Sequence, residues 1–543
     1  MMVFNNFSLI IFVRYILFFA QICLTFGGGK RKQPTSWDGK EFFPLVEEPN
    51  PDFLPHPPKS ESYKSKDATI FVGIAAFRDT RCPKTLYNLF TKAENPNRVF
   101  IGLVQQNGND DIDCVEKYCE LMGYTAPNGL KNPDDDRKKN CPYFNQIRIN
   151  RVTHLLARGP TFGRHLQIYL LQDEEFCMQI DSHMDFMDHW DTLNLEHWGM
   201  AVNEYAVLTT YVHRIEDLNR NINGRWEVPN ICKLRFVDGG LPRNGDAFSA
   251  FWLTRPKLGS LWAAGFSFMK CHGERQVPYD PQLPGIFDGE EFSRSARLWT
   301  RGYDFYTPHR PVVVHDYNKP KDYNPQSWQK NGNDKYKKQD KERSRKRIFT
   351  LLRMQGGNLT EAAQQALGKY GLGKLRTLEQ YQTYMGVDLW AREMKENKCG
   401  TLDWVLFEED LETLELYSKP LKWDYSGALM LNKSNELPEP VEEENKEIVT
   451  DERKAEKKNP SADEDYQKVK QTKQRLKQES PKTSFLEQQF TIRIPMLSVF
   501  ECFGIMATLG LACFLVRRRN STVMGSKKYA KHYTKKYGKN LKM

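Results

Sequence analysis

Apolar residues in this chain gather into short unbroken runs instead of following a helical period. Ala68-Thr-Ile-Phe-Val-Gly-Ile-Ala-Ala-Phe77 carries no charge and is rich in β-branched side chains, the pattern of a strand covered on both faces. A polar, helix-like stretch follows from Pro83, and Val99-Phe-Ile-Gly-Leu-Val104 is a second run of the same kind. Phe176-Cys-Met-Gln-Ile180 is a third, and further strand-like runs occur at 206–212 and 311–315, with a helix expected over 163–173. The order strand, helix, strand predicts an α/β fold with an open sheet over 68–345. Residues 346–425 read as a helical extension, and the polar stretch 107–145, with three cysteines, as a disulfide-tied insertion.

The ends of the chain follow a different pattern. Tyr15 to Phe26 has the length of a signal-peptide apolar region, and Gly27, Gly28 and Gly29 suit a small-residue cleavage site, so 1–29 reads as a signal peptide. Extended back across Arg14 to Phe7, the same run makes a signal anchor. Residues 30–67, rich in Pro and charge, read as a stem, and 426–493 as a disordered charged linker. Residues 494–516 form an apolar stretch long enough to span a bilayer, with Glu501 as its one charge. Arg517, Arg518 and Arg519 follow at once. Positive flanks stay cytosolic, which predicts a single-pass membrane protein of the Golgi or endoplasmic reticulum with a lumenal middle and a basic cytosolic tail at 517–543.

The formal charge of +10 changes little once it is located. Of 79 Lys and Arg, ten lie in 517–543 without an acid, and the remaining 69 equal the 69 Asp and Glu. The excess is a topological feature of the tail, and no nucleic-acid partner is expected. Eight of the eleven cysteines (82, 114, 119, 141, 177, 232, 271 and 399) lie between the two apolar segments, an even number that permits disulfides in an oxidising lumen without assigning them. Cys177, inside an apolar run, reads equally as a buried free thiol. Asn358 and Asn432 begin glycosylation acceptor triplets for a lumenal chain.

Candidate chemistry centres on Asp181-Ser182-His183-Met184-Asp185, fed directly by the run 176–180. Ligands of open α/β sheets bind at such carboxyl ends. Asp181 and His183 stand two positions apart, so both side chains point to one side. A carboxylate oxygen and an imidazole nitrogen suit Mn²⁺ or another divalent cation, leaving coordination positions for diphosphate oxygens. Such a cation acts as Lewis acid and template.

Several ordered motifs carry a resemblance: Phe71-Val-Gly-Ile-Ala-Ala-Phe-Arg-Asp79, Gly159-Pro-Thr-Phe-Gly-Arg164, Gln179-Ile-Asp-Ser-His-Met184, Phe287-Asp-Gly-Glu-Glu291 and Pro311-Val-Val-Val-His-Asp-Tyr317. Over 68–317 the chain resembles the protist and algal polypeptide α-N-acetylglucosaminyltransferases, and in pattern the polypeptide N-acetylgalactosaminyltransferases. The resemblance implies a GT-A fold, UDP-GlcNAc as donor, hydroxyls of Ser, Thr or hydroxyproline in polypeptides as acceptors, and retention at the sugar carbon. It also implies His315 as third metal ligand beside Asp181 and His183.

Carried over by position, Phe77, Arg78 and Asp79 become the nucleotide-binding loop, with Arg164 on uridine or diphosphate and Asp181 at the nucleotide-sugar. Composition alone leaves Arg164 equally open as a helix-surface residue. Glu290 and Glu291 become the catalytic carboxylates, Glu290 on the sugar and acceptor side. Both also suit the start of a helix, where carboxylates complement the dipole. Asp185 fits an acid beside the metal ligands or the substrate, and the polar stretch 319–347 is either a lid over the donor or a solvated loop. His154, His165, His189 and His197 lack a matching context and read as structural or surface residues. Another UDP-sugar, a glycan acceptor, an inactive lectin-like scaffold and a metal-dependent hydrolase are the rival readings.

Overall fold

The unbroken apolar runs become neighbouring strands in the middle of one sheet. In the computed structural model the described residues are 34–37, 41–45, 56–124, 140–217, 227–318 and 334–407. Strands β1 (Thr35–Trp37) and β2 (Phe42–Pro44) precede β3 (Ile70–Phe77), α1 (Cys82–Thr91), β4 (Val99–Asn107), α2 (Cys114–Leu121) and β5 (Ile147–Thr153). Next come α3 (Pro160–Gln167), β6 (Phe176–Ile180), β7 (Met184–Phe186), α4 (Trp190–Met200), β8 (Ala206–Thr209), β9 (His213–Arg214) and β10 (Glu227–Asn230). They are followed by β11 (Leu234–Val237), β12 (Leu241–Asn244), β13 (Phe248–Phe251), β14 (Lys257–Gly259), β15 (Phe266–Lys270) and α5 (His272–Gln276). The last are α6 (Glu290–Trp299), β16 (Asp304–Thr307), β17 (Val313–His315), α7 (Asp334–Leu351), α8 (Glu361–Gln365), α9 (Leu378–Met385), β18 (Val387–Asp388) and β19 (Glu393–Met394).

The main sheet has eight strands in the order β14-β16-β8-β15-β6-β3-β4-β5. β5, β4, β3 and β6 run parallel, and β15 is antiparallel to both β6 and β8. The fold is therefore α/β with a large mixed sheet. Every residue of β6 is buried, because cover on both faces leaves no polar side to a central strand. One face packs Leu86, Leu89 and Phe90 of α1 with Trp190 and Trp198 of α4, and a second core gathers Phe292, Leu298 and Trp299 of α6 with Tyr381 and Met385 of α9.

Residues beyond the sheet are held by a buried charge. The Arg376 guanidinium pairs with Asp304 at 2.7 Å, donates to the carbonyls of Trp299 and Tyr303, and lies over the Trp299 ring. The expected boundary between 345 and 346 falls inside α7, whose Ile348, Phe349 and Leu351 are buried. The second half of the stretch 319–347 is thus helix, and its residues 319–333 lie outside the described residues. The helix expected over 163–173 starts earlier, at Pro160, whose fixed φ suits a first turn, and gives way to a 3-10 turn at Ile168–Leu170.

Two expectations change. Residues 35–37 and 42–44, read as stem, form β1 and β2 and extend a small sheet in the order β10-β13-β1-β2, with Leu45 buried against Val228, Ala250 and Leu253. Cys177 is not a free thiol. β15 lies beside β6 and brings Cys271 within a Cα separation of 4.8 Å, so Cys177 bonds to Cys271. Cys82–Cys114, Cys119–Cys141 and Cys232–Cys399 complete the pairing of the eight cysteines. The expected signal segment 1–29, linker 426–493, apolar stretch 494–516, basic tail and Asn432 lie outside the described residues. Among the described residues no helix is long and apolar enough to cross a membrane.

Candidate metal centre

β6 ends at Ile180, and the chain turns through Asp181, Ser182 and His183 before β7 begins. That turn is bolted to α1: Thr85 Oγ1 donates to the Ser182 carbonyl at 2.9 Å and accepts from the Met184 amide at 2.9 Å. β17 then pairs with β7 so that His315 stands opposite Met184, and the Asp316 amide donates to the His183 carbonyl at 2.9 Å. The pairing brings together three residues that are far apart in sequence. One ligand atom from each of Asp181, His183 and His315 lies within 4.8 Å of the others. The two imidazoles meet edge to face, with ring centroids 4.4 Å apart.

The donor set fits a divalent cation. Asp181 Oδ2 and His315 Nε2 are 3.6 Å apart, too long for a hydrogen bond and short enough for one ion to contact both. His183 Nδ1 lies 2.5 Å from Asp79 Oδ2, which also accepts from Ser182 Oγ at 2.7 Å. Burial would raise the Asp181 carboxyl, but the neighbouring His315 and the charges of Arg164 and His183 outweigh it and hold the group well below the usual carboxylate range. Asp79 is depressed in the same way, burial being outweighed by its contact with His183.

Behind this cluster, α3 carries Arg164 inward. Its guanidinium donates to Asp181 Oδ1 at 3.0 Å and to Glu290 Oε1, so it is a buried bridge between two carboxylates and not a surface arginine. Glu290 faces this arginine. Glu291, the next residue, is half-buried, and among the described residues it has no ion pair; its Oε1 accepts from the Ala264 amide at 3.0 Å. Burial together with the charge of Glu290 pushes its carboxyl up to about 7, against the pull of that amide.

The expected nucleotide loop divides its roles. Arg78 has φ 48°, and its guanidinium forks onto both carboxylate oxygens of Asp111, at 2.8 and 3.0 Å. Phe77 ends β3 half-buried. Asp79 orients His183, a role that spacing in the sequence does not reveal. Asp185 stands apart from the cluster, bound by Lys92 Nζ at 2.7 Å. Two contributors had no signal of their own. Arg81 donates to the carbonyls of Asp316 and Asn318, each at 2.8 Å, and holds the segment that follows His315. Tyr317 stacks on His315 with centroids 4.0 Å apart, and its hydroxyl donates to the Val212 carbonyl. Of the remaining histidines, His165 contacts the Tyr279 carbonyl and His197 is buried against the His309 ring. Asn358 is exposed.

Residues 69–391 match the family model described as Glycosyltransferase (GlcNAc). Among solved structures the chain is similar to GalNAc-T7 with UDP, GalNAc and Mn²⁺, at 12% identity and a TM-score of 0.37 over 65% of this chain and 72% of that one. It is also similar to the mannosyltransferase PcManGT of Pyrobaculum calidifontis in complex with GDP-Man and Mn²⁺, at 12% identity and a TM-score of 0.28, over 52% of this chain and 62% of the other. Comparison with curated protein sequences gives no match.

Proposed function

The chain belongs to the Glycosyltransferase (GlcNAc) family through residues 69–391, and we propose that it is a GT-A transferase moving N-acetylglucosamine from UDP-GlcNAc to Ser, Thr or hydroxyproline hydroxyls of polypeptides. Transfer proceeds with retention and depends on Mn²⁺ or a similar cation. The observation that carries this reading is the convergence of Asp181, His183 and His315 at the carboxyl end of the central strands, inside the matched segment. A cation held there supplies Lewis acidity to the diphosphate of the donor. Asp181 and Arg164 face that diphosphate, while Arg78 and Asp79 shape the nucleotide side with Phe77. Glu290, which also fixes Arg164 against Asp181, and Glu291 are the catalytic carboxylates, with Glu290 on the sugar and acceptor side.

The proposed setting is the lumen of the Golgi or endoplasmic reticulum, with the chain anchored through 494–516 and its basic tail in the cytosol. Four disulfides that use all eight cysteines of the domain support an oxidising compartment. The decisive experiment is a panel of UDP-sugars with Ser, Thr and hydroxyproline peptides, run with Mn²⁺ and with EDTA. UDP-GlcNAc is expected to give transfer that EDTA abolishes and Mn²⁺ restores. Transfer that survives EDTA, or that prefers another sugar, refutes the corresponding part. Protection of the domain from protease in sealed microsomes tests the topology.

A further inference from the structure

The β11–β12 hairpin carries a charge arrangement that stability does not account for. Its register places Arg235 directly opposite Arg243, so the two guanidinium groups leave the same face of the ladder. Like charges in that relation repel. Arg243 is partly relieved by Asp288 at 3.0 Å and lies over the Phe287 ring, 5.7 Å from its centroid. Arg235 is exposed and has no carboxylate partner among the described residues, and Lys233 beside it is exposed as well.

The turn of the same hairpin packs on two further arginines, Arg345, itself paired with Glu342 at 2.6 Å, and Arg392. Gly239 and Gly240 have φ of 73° and 80°, and a Cβ on them would meet the guanidinium groups of Arg345 and Arg392 at 2.4 and 2.5 Å. Two glycines therefore let two more arginines lie against the backbone. The hairpin also sits beside the carboxylates of α6: Gly289 packs on Leu241, and the phenol of Tyr211 is influenced by Glu291 as well as by Arg243 and Arg235. Phe287, 57% exposed, supplies an apolar neighbour three residues before α6.

We propose that the outer face of the β11–β12 hairpin, with Arg235, Arg243 and Phe287, binds acidic residues flanking the acceptor hydroxyl, so that this transferase selects acidic polypeptide segments. The inference rests on the acceptor being a polypeptide. Guanidinium groups suit it because they hold carboxylates in forked pairs, and the repulsion between them is relieved when a carboxylate sits between.

The test uses the full-length chain and fluorescein-labelled peptides with one Thr flanked by Asp and Glu, by Asn and Gln, or by Lys. The acidic peptide is expected to bind about fivefold more tightly for each exposed charge it pairs, with the gap closing at high salt. Arg235→Gln narrows the gap, and Arg235→Glu reverses the preference toward the Lys peptide, which general damage to the fold does not produce. Equal binding of acidic and neutral peptides overturns the inference, as does an Arg235→Glu protein that keeps its acidic preference. Binding is read without sugar transfer. A chain that prefers acidic peptides but transfers nothing refutes the proposed function, and with it acceptor selection, while leaving the hairpin as an acidic-peptide surface; one that transfers without charge preference refutes the inference alone.

Discussion

Asp79 Oδ2 and His183 Nδ1 stand 2.5 Å apart, so one ring nitrogen is occupied and Nε2 is the nitrogen presented to a cation. A carboxylate behind a histidine ligand fixes its tautomer and raises its basicity. Asp79→Asn should weaken Mn²⁺ binding by about 10- to 100-fold, measured by calorimetric titration, with the fold retained by circular dichroism. An unchanged affinity would show that Asp79 does not act through His183.

Glu290 and Arg164 set a second expectation. Removing the Glu290 charge leaves a buried guanidinium with Asp181 as its one carboxylate, at 3.0 Å. Glu290→Gln should lower stability by about 3 kcal/mol in denaturant unfolding and weaken Mn²⁺ binding as well, because Arg164 then draws more strongly on Asp181. A variant as stable as the parent removes Glu290 from the positioning role.

Glu291 makes the stability of the metal-free protein depend on pH. Its carboxyl is raised from 4.5 to about 7 by burial and by Glu290. Below about 4.5 both folded and unfolded chains hold the proton; as pH rises toward 7 the unfolded chain releases it first, and this contribution to stability is lost. Glu291→Gln keeps an acceptor for the Ala264 amide and removes the ionisation. Its melting temperature should exceed that of the parent by about 2 °C or more above pH 7, with no gain near pH 4.5, in scanning calorimetry. A difference independent of pH would sink the assignment.

The Cys232–Cys399 bond joins positions 167 residues apart and ties the segment after β19 to the loop between β10 and β11. Replacing both cysteines by Ser should cost about 2–5 kcal/mol, read as a lower urea midpoint. A midpoint equal to that of the parent would show that Arg376 and the α9 packing hold the segment unaided.

How much of this could be read from the chain depended on the kind of contact. β3, β4 and β6 were legible because strands buried on both faces must be apolar throughout, and Asp181 with His183 followed from the end of one of them. His315 entered through resemblance alone: its place beside His183 comes from the pairing of β17 with β7, two strands of three residues each, too short for any periodicity. Arg164 was legible as a candidate, but whether it faced solvent or two carboxylates depended on how α3 packs. The disulfide pairs, β1, β2 and the crossing from Arg81 to Asp316 are long-range contacts of polar or very short segments, and local sequence does not encode them.

β1 and β2 bear on how the enzyme can be handled. β1 covers one side of β13, with Thr35 opposite Phe251 and Trp37 opposite Ser249, while β10 covers the other. A truncated version begun at residue 68, where the first long apolar run starts, would strip β13 of that neighbour and leave a row of unpaired amides and carbonyls. Such an edge is a template for aggregation. Soluble expression of the domain should therefore depend on starting ahead of Thr35, and insoluble material from shorter versions would reflect an open strand edge instead of a defect in the central sheet.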